Sequence, residues 1–274
     1  MAAIDPTARI EPGAVIGHNA SIGPYCVIGP HVEIGDGCKL LAHVHVAGHT
    51  KIGPRTMVYP FASLGTPPQS VKYRGGPTRL VIGADCEIRE GVTVNTGTED
   101  ARGVTEVGDR CWLMVGSHIA HDCKVGNDVI FANNVVLGGH VTIGDFAVFG
   151  GQAAVRQFVR IGEGAMVAGN AAISYDVPPF TVAADRNDIC GLNLVGVRRR
   201  GFAPDVLPDL KRCFRAVYLA GGGNVREEAL RAIACSDLGT TAQGRAFLEF
   251  FAGGHRGFGH KRRNRRATDP GNQA

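Results

Sequence analysis

The run Ser21-Ile22-Gly23-Pro24-Tyr25-Cys26-Val27-Ile28-Gly29-Pro30-His31-Val32-Glu33-Ile34-Gly35-Asp36-Gly37-Cys38 decides the fold. An aliphatic residue recurs every six positions, a small residue stands four positions after it, and glycine directly follows it. Outward from this stretch the aliphatic beat begins at Ile4, Ile10 and Ile16 and continues through Leu40, Val46, Ile52, Val58 and Leu64. It returns at Ile82, Ile88 and Val94, then runs unbroken from Val107 through Ile119, Phe131, Ile143 and Val155 to Ile173. The small position is filled by Ala8, Cys26, Thr56, Cys86, Ser117, Ala147 and their equivalents. Neither a helix, with period 3.6, nor a flat strand, with period 2, produces this spacing. It suits a chain that turns a corner every six residues, so that three hexads close one triangular coil. Coils stacked as parallel strands lie roughly 4.8 Å apart, and about ten of them build a prism on the order of 50 Å long. Glycine, 39 of 274 residues, is expected at the corners, where it adopts backbone conformations that side chains resist.

The pattern resembles the left-handed parallel β-helix of hexapeptide-repeat acyltransferases, an exception to right-handed parallel connections. The expected fold is therefore mainly β, with a left-handed parallel β-helix of hexapeptide repeats over residues 1–190. Two breaks read as loops ejected from the prism, at 65–80 and 96–106. The first holds Thr66-Pro67-Pro68 and Gly75-Gly76-Pro77, too rich in Pro and Gly for a strand. Such loops are where function tends to sit. After Pro178-Pro179 the beat ends. Helical spacing of apolar residues over 205–219, 225–235 and 242–251, with Asn224 as an N-cap, predicts a small α-helical C-terminal domain spanning 191–254.

The formal charge of +4 is unevenly placed. Residues 255–274 carry six basic side chains against Asp269, a net +5, which leaves −1 for the rest. This segment is expected to be a solvated, disordered tail. A second basic cluster, Arg198-Arg199-Arg200, points with it toward an acidic partner; no nucleic-acid partner is expected. No apolar stretch approaches the roughly 20 residues of a membrane span. The N-terminus lacks the basic and apolar regions of a signal peptide, and the expected location is the cytoplasm. The eight cysteines form no C-x-x-C pair, which argues against a zinc clip or redox motif.

The register sorts the chemically interesting residues. Cys26, Cys38, Cys86, Cys111 and Cys123 all occupy the small inward position and are read as compact core groups. The eight prism histidines (18, 31, 43, 45, 49, 118, 121 and 140) all fall at outward positions. Most are surface histidines on this reading. His43 and His49 lie on adjacent faces and do not converge. His121 and His140 are one coil plus one residue apart, within reach of one small molecule, and Asp122 stands ready to orient an imidazole. A histidine poised near neutral pH suits general-base attack by a sugar hydroxyl or amine on a thioester. Backbone N–H groups near Gly138-Gly139 would serve the oxyanion. From the residues alone, a catalytic His121 and a plain surface His121 both stay open.

The strings Ser117-His118-Ile119-Ala120-His121-Asp122-Cys123-Lys124-Val125-Gly126-Asn127, Phe131-Ala132-Asn133-Asn134, Gly139-His140-Val141 and Asp176-Val177-Pro178-Pro179 resemble the UDP-N-acetylglucosamine O-acyltransferases that open lipid A biosynthesis. So do Lys72-Tyr73 and Arg198-Arg199-Arg200-Gly201-Phe202. The likeness covers roughly residues 4–252. It implies transfer of a 3-hydroxyacyl chain from acyl carrier protein to the 3-position of UDP-N-acetylglucosamine, in a homotrimer with active sites between subunits. His121 would be the general base, Asp122 its support, and the Gly139 amide the oxyanion donor. Substrate contacts would come from Ser70, Lys72, Asn95, His118, His140, Arg156, Gln157, Asn193, Arg199 and Arg200, and Gly169 would limit acyl length. No metal or separate cofactor is implied; the acyl group rides on the carrier's phosphopantetheine. Familiar members carry Asp, His, His and Glu where this chain has Ser70, Asn95, Arg156 and Val195. The first two departures fall in acceptor loops and raise an alternative acceptor, the 3-amino analogue of the sugar.

Other classes remain to be distinguished. A related N-acyltransferase of the pathway carries an additional N-terminal domain, and a CoA-dependent acetyltransferase shares the fold. A β-helical zinc enzyme needs three imidazoles at the metal, and its H-x-x-x-x-H spacing is absent around His118 and His121. A purely structural role predicts that His121 is dispensable.

Overall fold

The computed structural model describes residues 1–220 and 224–262. From Ala3 to Ile173, short strands recur with the sequence beat, each ending on or near an inward aliphatic residue. Together with three later strands that extend the largest sheet, they form sheets of 12, 9 and 8 strands among the described residues, and up to Ile173 every third strand in chain order is a neighbour in the same sheet. This is the left-handed β-helix that the repeat predicts. Within a sheet the pairing is parallel and in register, as in Ile28 beside Val46 and Leu137 beside Val155. Across the two loops the register survives: Ile52 pairs with Ile82, and Ile82 with Val107. The loops are therefore extra chain inserted at a corner; the ladder is irregular locally, where Thr66 pairs with Asn95 one position out of step with Leu64 and Val94, and is in register again beyond them. They are shorter than expected, because strands Ser63–Thr66, Arg79–Ile82 and Val104–Val107 run into them. Leu80 and Thr105 are fully buried and continue the inward ladder of Thr50, which leaves irregular chain only at 67–78 and 96–103.

The prism interior consists of the two inward columns. Ile28, Leu64, Ile88, Ile119 and Phe149 are each 0% exposed, as are Cys26, Cys38, Cys111 and Cys123. The cysteines are more than compact apolar filler. The thiols of Cys38, Cys86, Cys111 and Cys123 donate to the carbonyls of Gly53, Gly108, Gly126 and Gly138 at 3.0–3.2 Å, and the Thr56 hydroxyl donates to Gly83 in the same way. A small inward residue with a donor thus satisfies the corner carbonyl of the next coil, which water cannot reach. Burial pushes the Cys123 thiol up to about 12, far from a reactive thiolate.

The glycines correct the sequence expectation. Those that follow the aliphatic residue do not supply the left-handed corner. A Cβ on Gly53 would stand 2.5 Å from the backbone of Gly83, and one on Gly108 would stand 2.6 Å from that of Gly126. Glycine is needed there because consecutive coils touch backbone to backbone. The left-handed conformation falls two residues later, mostly on residues with side chains, among them Asp122, His140 and Phe158, with φ of 59°, 62° and 66°.

Strands Thr181–Ala184 and Asp188–Leu192 pair antiparallel at the C-terminal end of the 12-stranded sheet. Four helices follow: α1 (Leu194–Arg199), α2 (Val206–Tyr218), α3 (Val225–Ile233) and α4 (Ala242–Glu249). The last three match the expected periodic segments; α1 is short and carries no full apolar period, so the pattern missed it. Asn224 caps α3, its Oδ1 accepting from Arg226 N at 2.9 Å. Buried Asp209 ties α2 to α4 by accepting from Thr241 N and Oγ1 at 2.9 and 2.8 Å. Buried Asp176 binds Arg160 Nε at 2.7 Å, and Arg160 Nη2 donates to the carbonyls of Phe250 and Gly253, stitching helices to prism.

Part of the basic C-terminal segment differs from the solvated tail expected of it. Phe258 is buried, and His260–Lys261 adds a parallel strand beside Asp188–Ile189. One aromatic residue outweighs the surrounding charges by giving the segment an apolar anchor. Residues 263–274, the rest of that expected tail, lie outside the described residues. Among the described residues, no helix is long and apolar enough to cross a membrane.

Candidate active site

One corner of the prism, where each turn follows a strand of the nine-stranded sheet, carries Asp122, His140 and Phe158 at equivalent positions of successive coils. His121 precedes Asp122, and its Nδ1 lies 2.9 Å from Asp122 Oδ2. The carboxylate is 1% exposed, so it requires compensation. The second loop supplies it. Thr98 N lies 3.1 Å from both oxygens, Thr98 Oγ1 lies 2.6 Å from Oδ2, and Gly103 N lies 3.1 Å from Oδ1. Burial works to raise the Asp122 carboxyl, but the Thr98 hydroxyl, His121 and the Thr98 amide together hold it below the usual carboxylate value. An ionised Asp122 fixes the His121 tautomer with its proton on Nδ1, which leaves Nε2 as a free base.

Three neighbours shape that base. A Cβ on Gly139 would stand 2.6–3.0 Å from three atoms of the His121 ring; only glycine lets the imidazole lie over this backbone. His140 meets His121 edge-on, with centroids 4.9 Å apart at 88°, and stacks on Phe158 at 4.3 Å and 4°. Its Nδ1 is 3.9 Å from Asp122 Oδ2. Burial pushes the His140 imidazole down, with the Asp122 charge opposing and His121 assisting. His118, one hexad position before Ile119, receives or gives a hydrogen bond at Thr93 Oγ1, 2.7 Å away, and burial lowers it as well. Both flanking histidines are thus biased toward the neutral form.

The other predicted residues divide into groups. Asn95 is 3% exposed. Its Nδ2 donates to Thr66 Oγ1 and Pro67 O at 3.1 Å, which fixes the amide and leaves Oδ1 buried without a partner. Ser70, Lys72, Arg156, Gln157, Gly169 and Arg199 stand at or near the surface, and no hydrogen bond or ion pair joins them to the histidines among the described residues. Asn193 and Arg200 are already engaged. Asn193 caps α1 by accepting from Gly196 N and donates to Gly164 O, both at 3.0 Å. Arg200 pairs with Glu163 at 2.8 Å and packs over Phe146 and Phe202. Sequence reasoning missed Thr93, Thr98, Gly103 and Phe158. Phe158 was detectable as His140 plus one coil, and Thr93 is the strand neighbour of His118; Thr98 falls on the small position after Val94, but the period does not carry it or Gly103 to Asp122.

The ligand-type atoms of His121, Asp122 and His140 lie within 4.8 Å of one another. The Asp122 oxygens, however, already accept from Thr98, Gly103 and His121. Such a carboxylate is arranged to support an imidazolium rather than to ligate an ion.

A family model described as UDP N-acetylglucosamine O-acyltransferase, domain 2, matches residues 176–259, and the bacterial transferase hexapeptide model matches 2–35 and 105–139. A Sinorhizobium fredii protein named acyl-[acyl-carrier-protein]–UDP-N-acetylglucosamine O-acyltransferase is 47% identical over 229 residues, 83% of this chain and 84% of the relative. The Rhizobium etli protein of that name gives the same figures. The solved UDP-N-acetylglucosamine acyltransferase from Campylobacter jejuni superposes with a TM-score of 0.88 at 36% identity, covering 94% of this chain and all of that one. The Francisella novicida enzyme gives 0.90 at 33% identity, covering 95% of each.

Proposed function

The chain belongs to the UDP-N-acetylglucosamine O-acyltransferase family, and from that premise we propose how its own residues carry the reaction. It is an acyltransferase that moves an acyl group from acyl carrier protein to an oxygen of UDP-N-acetylglucosamine. His121 Nε2 takes the proton of the sugar hydroxyl as that oxygen attacks the thioester carbon. The new C–O bond produces a tetrahedral oxyanion, which the Gly139 N–H stabilises. Collapse breaks the C–S bond, and the imidazolium returns its proton to the leaving thiolate. Asp122 stabilises the imidazolium while it lasts. The observation that carries this reading is the buried Asp122, held by Thr98 and Gly103, beneath a His121 ring that Gly139 alone accommodates.

The finer assignments rest on the family resemblance: a 3-hydroxyacyl donor, the sugar 3-hydroxyl as acceptor, a step at the start of lipid A biosynthesis and a cytoplasmic homotrimer. Ser70, Lys72 and Arg199 form no hydrogen bond or ion pair with the histidines among the described residues, and on this reading they serve the site of a neighbouring copy. Asn95 Oδ1, buried and unpartnered, would accept a donor of the bound sugar. The relatives' names specify O-acylation and give no support to the amide-forming alternative. The test is purified protein with UDP-N-acetylglucosamine and carrier-bound 3-hydroxyacyl donors, with the product read by mass. An ester at the sugar 3-position is expected; turnover of acetyl-CoA in its place would overturn the donor assignment.

A further inference from the structure

The two loops ejected from the prism differ in what holds them. The second is bound to the prism by Thr98 and Gly103, which donate to Asp122, and by Arg102, whose Nη1 donates to Cys123 O at 3.3 Å. The first, 67–78, contains no acidic residue, while Lys72 and Arg74 are cationic and Gly75-Gly76 loosen its return. Its base is fastened at both ends: Asn95 Nδ2 donates to Pro67 O at 3.1 Å, and Thr78 Oγ1 donates to Thr96 Oγ1 at 2.9 Å. The tip depends on other bonds. Ser70 closes a turn within it, its carbonyl accepting from Tyr73 N and its hydroxyl from Lys72 N, and Tyr73 Oη donates to Gly76 O at 3.0 Å. Between Pro68 and Gly76, the hydrogen bonds that leave the loop among the described residues both end on one atom. Glu99 Oε1 accepts from Gly76 N at 2.6 Å and from Arg74 N at 3.2 Å.

The contact is close. A Cβ on Gly76 would stand 2.5 Å from Glu99 Cγ, so glycine is what admits the carboxylate to the loop backbone. Desolvation works to raise the Glu99 carboxyl, but its own N–H and those of Gly76 and Arg74 hold it below the ordinary carboxylate value. Glu99 follows Thr98 directly in the chain. Thr98 grips the carboxylate behind His121, and its neighbour grips the loop that carries Ser70 and Lys72. A loose loop has to be ordered at the expense of substrate binding. A clamp that orders it beforehand removes that cost and raises affinity.

Resting on the reading above that Ser70 and Lys72 meet the UDP-sugar, we propose that Glu99 is a positioning residue for the acceptor: its carboxylate clamps the tip of the first loop to the second and presets Ser70 and Lys72 for the sugar nucleotide. Glu99→Ala in the full chain is the direct test, beside Glu99→Gln, which keeps the Oε1 acceptor without the charge. Thermal melting checks folding, and Glu99→Asp, one methylene short of the loop, takes the place of Glu99→Ala if that variant does not fold. In Glu99→Ala, KM for UDP-N-acetylglucosamine should rise about tenfold, the lower end of what a hydrogen bond to a charged group is worth. The values of kcat and of KM for the carrier-bound donor should stay within about twofold, because the clamp does not touch the reacting atoms. Glu99→Gln should bring KM for the sugar back to within about threefold of wild type. Hydrogen exchange supplies a second reading: the Arg74 and Gly76 amides should exchange faster in Glu99→Ala than in wild type. An unchanged KM for the sugar, a loss in kcat as large as the rise in KM, a Gln variant as impaired as the Ala variant, or unchanged exchange at the two amides overturns the proposal. If wild type itself does not use UDP-N-acetylglucosamine, the acceptor reading has failed instead, and amide exchange still tests the clamp.

Discussion

The corner that carries the site also carries a second pair of histidines, and the two differ in what they became. His31 and His49 occupy equivalent positions lower on the same column and stack on each other at 4.5 Å and 2°. His140 stacks on Phe158 in the same manner. Both pairs exploit the coil spacing, which sets aromatic rings on successive coils near stacking distance. The upper region adds the His121–Asp122 pair, the second loop that grips Asp122, and Gly139 beneath the ring. Stacked rings are a by-product of the repeat. A buried carboxylate with four donors is not, and the loop that supplies three of them leaves beside a local irregularity at Thr66–Asn95 and rejoins the ladder in register.

This contrast is sharpest in a pair of substitutions. His121→Ala should lower kcat by about 10²- to 10⁴-fold through loss of the general base, whereas His49→Ala should stay within about twofold, as a surface change away from special features does. Comparable losses in both would mean that the two histidine pairs are functionally alike. Gly139→Ala comes next. The added methyl would occupy the space of the His121 imidazole, and a ring displaced by about 1 Å should cost about 100-fold in kcat, with KM for the sugar much less affected. A fully active Gly139→Ala protein would show that the ring position is unimportant.

Asp122→Asn should cost about 10- to 100-fold in kcat, the scale of a charge-assisted hydrogen bond to the imidazolium. It also carries a pH signature. The Asp122 carboxyl is held below its ordinary value of 3.8 in the folded protein, so the stability it contributes is complete above about pH 3.8 and is lost as pH falls through the folded value. The melting-temperature gap between wild type and Asp122→Asn should therefore be widest near neutrality and close on acidification. A gap that widens in acid would show that the carboxyl is not stabilised as an anion.

The sequence determined the fold nearly alone, because a six-residue repeat leaves the chain few ways to bury one aliphatic and one small residue per turn. The same register was enough to turn five cysteines inward and eight histidines outward, and to bring His121 and His140 to one corner. It did not decide why the glycines are where they are. Close approach of successive backbones is a property of stacked coils, and no single hexad displays it. Nor did it bring Thr98 and Gly103 to Asp122: Thr98 stands on the last small position before the second loop, and the beat does not say where that loop folds back. Only the tertiary structure showed that Asn193 and Arg200 are engaged in holding α1 and Phe146, and that Phe258 pins part of an otherwise basic segment against the helices. Repetition is local and legible in one dimension; the charge compensation that turns a surface histidine into a base depends on groups far apart in the chain.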